Sequence, residues 1–517
     1  SSNTALGYVA LSGNSTGSSN TAVGHDSLVA NTTASNNTAV GKDALKANTT
    51  GTNNIAIGKG ALDANTTNNR NVAIGNNALG NNNGASDNTA IGHESLNDNT
   101  SGSSNVAVGK DALYSNTTAS NNVAVGHDAL QANTTGAENT GIGTSSLDAN
   151  TIGQQNTALG MHSLGSNTEG DQNTGIGRGA LGSNTTASGN TALGYFALQA
   201  NTTGTENLAV GASALVANTT ANQCTAVGFQ ALALNTTGIR NTAVGRKALI
   251  SNTTGEKNVA VGSAALFNNT ASSNTAVGHD CMVANTTGAN NVAVGALALD
   301  SNTTGGNNTA VGVNCLGQNT TASDNTAIGT GALGLNTTGS EDTCVGRSAG
   351  LNITTGSTNT CVGHEAGKNL TTGSNNLFLG HEAGTTNAPN GNHTTESNRI
   401  VLGDNSIISA HIKVSFTATS DERDKTDITD FTKGLDFVNG LRPVTYKWDM
   451  RSNYSSDLSV TPDGSKKSDK TEIGLIAQEV ETIEKANGYS TDENNRLLIS
   501  KSTDGLHYGL QYERLVP

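Results

Sequence analysis

The sequence predicts a mainly β protein: a trimeric parallel β-roll or β-solenoid of 17-residue coils, followed by a small α+β domain. Three observations predict it. A glycine closing NTAVG-like pentads returns at a fixed interval. The residues before that glycine alternate as a strand does. The composition then changes abruptly after about residue 385, where charged and larger apolar side chains appear.

The interval comes first. The glycine falls at Gly7, Gly24, Gly41, Gly58 and Gly75 and onward in steps of 17 to Gly262, then one step of 16 to Gly278, then steps of 17 to Gly380. A degenerate last member is Gly403 in NRIVLG. Seventeen residues are too few for a helix pair and suit one coil of two short strands and two turns. Before each glycine, Thr or Val, a small residue, and Val, Ile or Leu follow with period two, which reads as a strand. The small middle residue implies a face with room for little more than a methyl group. Val or Ile and the Leu four residues after the glycine (Leu28, Leu45, Leu62) are expected to stack into a thin apolar core. The glycine is expected to supply a positive φ or a close backbone approach. Seven residues after it Asn opens an NTT turn (Asn14, Asn31, Asn48), and stacked Asn side chains can hydrogen-bond from coil to coil.

Composition narrows the function classes. With 63 Gly, 4 Pro, 3% aromatic and 13% charged residues, the chain departs from an ordinary globular protein, and its strict period argues against disorder. A net charge of −14 without a basic block excludes a nucleic-acid footprint, and no apolar run is long enough to insert in a membrane. The chain opens inside a repeat, SSNTALG, so a further segment is expected before it. Cys281, Cys315, Cys344 and Cys361 replace alanine in the pattern, and these and Cys224 read as small buried hydrophobes rather than a disulfide framework. The NTT sequons are explained by turn chemistry. Histidines just after the glycine (His25, His93, His127, His279, His364, His381) read as a solvated polar edge; His364 and His381, in adjacent HEAG coils, are the weak candidates for a metal. No catalytic constellation and no cofactor motif lies in the repeats, and no cofactor is expected.

A single coil of Ala, Val and Leu buries little apolar area, so three chains sharing a core are expected. The pentads NTAVG, NVAVG and NIAIG resemble the head repeats of trimeric autotransporter adhesins, over about residues 1–385. That resemblance implies rolls packed about a threefold axis. The departure is coil length, because the NTTG extension makes this coil longer than the adhesin repeat.

Residues 386–416 read as a transition and 417–517 as the α+β domain. TDFTKGLDFVNGLRPVTYKW predicts a short helix and then a strand; TEIGLIAQEVETIEKANG predicts a strand turning into an amphipathic helix, with Ile476, Val480 and Ile483 on one face. SDERDK at 420–425, GLDFVNGLRPVTYKW at 434–448 and GLIAQEVE at 474–481 together resemble the endosialidase-type C-terminal intramolecular chaperone of phage tail spikes and fibres. The long helix that follows in that family is not among these residues. The resemblance implies a chaperone that trimerises the chain and then cuts itself off between Thr419 and Ser420, with Ser420 as nucleophile and Lys425 as general base. A serine hydroxyl needs an adjacent base, and a lysine must be neutral to act as one. Burial in a trimer or the nearby Arg423 would favour the neutral form, whereas Asp421 and Asp424 would oppose it. The implied protein is a viral tail or appendage fibre in the virion. Its partners would be itself as a homotrimer, a virion attachment protein on the N-terminal side, and a host cell-surface receptor such as a glycan. The rival reading is a bacterial trimeric surface adhesin, which requires a membrane anchor barrel.

Overall fold

A computed structural model describes residues 2–389, 391–407, 410, 423, 425–426, 428, 430, 432–451, 454, 460–489, 497–501 and 508–512. The chain divides into two units, Ser1–Gly306 and Asn307–Pro517. The first holds eighteen three-residue strands, from β1 (Thr4–Leu6) to β18 (Val292–Val294), one to each coil. Each pairs in parallel with the next at an identical register, as Thr21↔Thr38, Ala22↔Ala39 and Val23↔Val40 show. The second unit continues the pattern with β19 (Thr309–Val311) to β24 (Ile400–Leu402). The parallel β-solenoid is therefore present, with one strand per coil in place of two. The rest of each coil is turn, stitched to its neighbour by backbone bonds such as Leu28 N–H to Ala44 O (3.1 Å) and Ala30 N–H to Lys46 O (3.2 Å).

The core is smaller than expected. Inside sit the strand's middle residue, the residue three after the glycine and the leucine after that: Ala39, Ala44 and Leu45 are all fully buried. The Val and Ile before the glycine point the other way; Ile57 is 39% exposed and Ile91 38%. The physical reason is width. A 17-residue coil with three left-handed residues closes so tightly that the position behind the strand is methyl-sized in most coils; Cys344, Cys361 and Phe378 fit there where Gly350, Gly367 and Gly384 leave room. One of the three is the core leucine itself, at φ 51° in Leu28 and 50° in Leu45. An L-residue resists that conformation by about 1–2 kcal/mol, and full burial of the side chain offsets the cost.

The repeating glycine does both jobs expected of it. Gly228 has φ +136°, and a Cβ there would lie 2.5 Å from Gly245 O. The NTT asparagines form the expected ladder: Asn31 Nδ2 donates to Asn14 Oδ1 (2.8 Å), and Asn48 Nδ2 to Asn31 Oδ1 (3.0 Å). A second ladder uses the pentad's own Asn. The Asn37 N–H donates to Asn20 Oδ1 (3.0 Å), while Asn20 Nδ2 donates to Ala34 O (2.8 Å). Asn31 Nδ2 reaches the same Ala34 carbonyl (3.1 Å), so one turn carbonyl per coil takes a donor from each ladder. Buried amides are tolerated here because both ends of nearly all are satisfied; Asn252 Oδ1, next to the one shortened coil, has no partner among the described residues.

The single 16-residue step is absorbed in a turn. Asn269 Nδ2 donates to Ala271 O, two residues on instead of three, and the strands still meet in register, Val259↔Thr275. Two coils of the second unit exchange their core residues. Gly350 and Gly367 replace the usual leucine, and Ile353 and Leu370 replace the NTT Asn, fully buried. A Cβ on Gly350 would lie 3.0 Å from Ile353 Cδ1 and 2.5 Å from Cys344 Sγ, so the glycine vacates the volume that those two fill. The five cysteines are free and buried, as expected.

The α+β region of the second unit contains α1 (Gly434–Gly440), β25 (Val444–Tyr446), β26 (Glu472–Gly474), α2 (Ala477–Ala486), β27 (Ile499–Lys501) and β28 (Tyr508–Leu510). β25 pairs antiparallel with β26, and β27 with β28. Phe437 of α1, Val480 of α2, Leu498 and Ile499 form its core, with Ile483 packed beside them. Ile476, expected on the same face, is the N-cap of α2 and 39% exposed.

Candidate functional site

The site singled out by the sequence lies just before α1. Thr419 and Ser420 fall outside the described residues, as do Asp421 and Asp424. Lys425 and Arg423 are described and exposed, and both make interactions. The predicted pairing of Ser420 with Lys425 therefore lies outside the described residues.

The surroundings that follow are built from local rules. α1 ends at Leu441, whose N–H caps onto Val438 O, and the chain turns extended into β25. Arg442, in that turn, reaches Glu479 in the first turn of α2 through both its Nε (3.0 Å) and its Nη2. Exposed as it is, this fork contributes geometry more than stability. Glu484, buried on α2, accepts the Leu498 N–H (2.5 Å), and the Tyr512 hydroxyl accepts the Leu475 N–H (3.0 Å). Tyr446 meets Trp448 edge-on at 5.2 Å. These contacts tie α1, α2 and the two hairpins of the region to one another.

The weak metal candidates do stack: the His364 and His381 rings lie 5.2 Å apart, 11° from parallel. Each is otherwise engaged. Arg347 Nε donates to His364 Nε2 (2.9 Å), and His381 Nδ1 lies 2.9 Å from Asp404 Oδ2, a hydrogen bond that raises the His381 pKa.

One functional group was missed in the sequence. Asp342 stands where the second ladder has Asn, fully buried. Its Oδ1 accepts the Asn359 N–H (2.7 Å) and Asn359 Nδ2 (3.1 Å), while its Oδ2 has no partner among the described residues. Burial pushes its pKa up to about 7. The signal was visible as EDTCVG among NTAVG pentads, but only the ladder gives the substitution meaning.

Residues 420–489 match the family model described as chaperone of endosialidase. The matched segment contains α1, β25, β26 and α2 and begins at Ser420. No curated protein matches the chain.

Proposed function

We propose that the protein is a structural viral fibre, a homotrimer whose C-terminal domain aligns three chains and then cuts itself off before Ser420. The observation that carries this is the chaperone-of-endosialidase match at 420–489, immediately downstream of a β-solenoid. The outward face of that solenoid supports it. Ile57, Leu159 and Leu193, each 39–45% exposed, belong to the column of Val, Ile and Leu that precedes the repeating glycine coil after coil. Single exposed aliphatics are ordinary, but a continuous column of them is a surface for another chain. A neighbouring copy of the same solenoid, with the same spacing, is the natural complement.

Near-identical coils also explain the need for such a chaperone. Chains displaced by one coil would meet almost the same surface, so register must be imposed from an end. Cleavage then removes the template and leaves unfolding under kinetic control. In the virion, a component on the N-terminal side would hold the fibre, and the repeats would face a host-surface receptor. Ser420 Oγ attacks the carbonyl carbon of Thr419 while Lys425 takes its proton; the Thr419–Ser420 C–N bond breaks as that proton passes to the leaving nitrogen, and water hydrolyses the new ester and frees the domain.

The test is the intact mass, under denaturing conditions, of freshly expressed protein and of Ser420→Ala, with light scattering on both under native conditions. A break between Thr419 and Ser420 that the variant abolishes, in a particle of three chains, is the expected result. Uncut chains in both would remove the self-cleavage, and a monomer in both would remove the fibre.

A further inference from the structure

The column of residues just after the repeating glycine carries histidines and acids, and three of those histidines pair with the acid beside them. His127 Nδ1 sits 2.8 Å from Asp128 Oδ2, His279 Nδ1 3.1 Å from Asp280 Oδ2 and His25 Nδ1 3.2 Å from Asp26 Oδ2. His364 and His381 turn instead to Arg347 and Asp404, and His93 differs from all of these. His93 Nδ1 lies 3.8 Å from Glu94 Oε2 and 3.9 Å from Asp111 Oδ1, too far to hydrogen-bond to either. Asp111 is buried, and that same Oδ1 has no hydrogen-bond partner among the described residues. Lys110 holds the other oxygen, Oδ2, at 2.5 Å. One imidazole nitrogen and two carboxylate oxygens thus converge without bonding to each other.

We propose that His93, Glu94 and Asp111 form a binding site for a divalent first-row transition ion, with zinc as the reference. Such ions hold nitrogen and oxygen donors at about 2.0–2.2 Å, which places two donors about 3–4 Å apart around a shared ion. Separations of 3.8 and 3.9 Å need a few tenths of an ångström of side-chain closure, and His93, about half exposed, has that freedom. A mixed imidazole and carboxylate set suits zinc, cobalt or manganese and disfavours soft monovalent copper. Water completes the shell on the open side.

The charge balance favours a cation. Glu94, Asp111 and Asp128 face the single ammonium of Lys110. The equivalent group at His25, Asp26 and Asp43 is already neutralised. Lys46 lies 3.2 Å from Asp43, Lys42 lies 3.8 Å from it, and His25 is bonded to Asp26. On the far side of Asp111, His127 and Asp128 are within reach of its carboxylate but spend their donor and acceptor on each other. They wall the site rather than fill it. An ion bridging His93 to Asp111 would clamp two consecutive coils.

The test uses the full chain, freed of metal, in phosphate-free buffer near neutral pH. Calorimetric titration with zinc chloride is expected to show one saturable equivalent per chain. Cobalt chloride should give a visible absorption band that zinc displaces. His93→Ala, an exposed change that leaves the core alone, should weaken zinc at least tenfold, and Asp111→Asn likewise. His279→Ala should bind as the unaltered chain does. No saturable uptake up to millimolar zinc, or equal affinity in His93→Ala, or an equal loss in His279→Ala, would overturn the proposal.

Discussion

Replacing Asp342 by Asn should make the protein more stable at pH 8 and flatten its dependence on pH. In an ordinary coil the turn carbonyl takes Nδ2 donors from two asparagines, fourteen and three residues earlier, as Ala34 does from Asn20 and Asn31. The corresponding carbonyl here is that of Gly356, and the two positions hold Asp342 and Ile353. Neither an aspartate nor an isoleucine can donate. Asp342 Oδ2 and Gly356 O both crowd the point where a Cβ on Gly339 would stand, 3.1 and 2.1 Å from it. A protonated carboxyl turns that conflict into a hydrogen bond, which is why Asp342 is best satisfied as the neutral acid. Its folded pKa of about 7 stands above the ordinary 3.8. The stabilisation is therefore complete below pH ~3.8 and is lost progressively as pH rises to ~7, with no further loss above. Three units at about 1.4 kcal/mol each set a ceiling of about 4 kcal/mol per chain. The amide that Asp342→Asn introduces would donate to Gly356 O as Asn325 Nδ2 donates to Gly339 O (2.9 Å), and would recover much of that stability at pH 8. The assay is hydrogen exchange over peptides spanning residues 339–376, corrected for the intrinsic pH dependence of exchange. Protection in the native chain should fall relative to Asp342→Asn between pH 5 and 8. A difference that stays constant across that range would refute the reasoning.

Other outcomes follow from the same geometry. Gly228→Ala should prevent folding of the coil or cost more than ~4 kcal/mol, because its Cβ would meet Gly245 O at 2.5 Å and φ is +136°; loss of protease resistance would report it. Asn133→Ala removes a link between Asn116 and Asn150 and leaves both with an unmet group, costing about 3 kcal/mol in a denaturant midpoint shift. Gly350→Leu alone should be severely destabilising, and adding Ile353→Asn with Cys344→Ala should restore most of the loss, since the three together rebuild an ordinary coil. Thermal midpoints of the single and triple variants test that coupling.

Much of the solenoid was legible because its causes are local. A positive φ demands glycine, a close approach demands glycine again, and the interval between such demands is the coil. The side of the strand that faces inward was not legible. Thr-Ala-Val alternates either way, and hydrophobicity assigned Val to the core, whereas the tightness of an ordinary coil favours the Ala there. The second Asn ladder was hidden for a related reason. An Asn beginning a strand looks like a turn residue until its neighbour 17 positions away is seen to bond it. Leu28 and its equivalents give no local sign of a left-handed backbone, which only their burial sustains. In the C-terminal region both helices and the strands β25 and β26 followed from period and punctuation, though not their pairing, while Thr419 and Ser420 lie outside the described residues.

The identity of register from one strand to the next has a consequence for how such a chain changes over generations. Within the first unit, the upper edge of one coil fits the lower edge of almost any other, since each offers the same amides, the same glycine and the same pair of asparagines. Excising 17 residues from the middle of that unit would leave no seam, only a sheet shorter by one strand spacing of about 4.8 Å. Duplication would lengthen it as smoothly. Tandem repeats in a coding sequence are prone to gain and loss by mispaired recombination, and here each such event yields a foldable protein. Length becomes a trait that can drift in whole coils, and a coil of 16 residues survives as a dated mark in an otherwise interchangeable series.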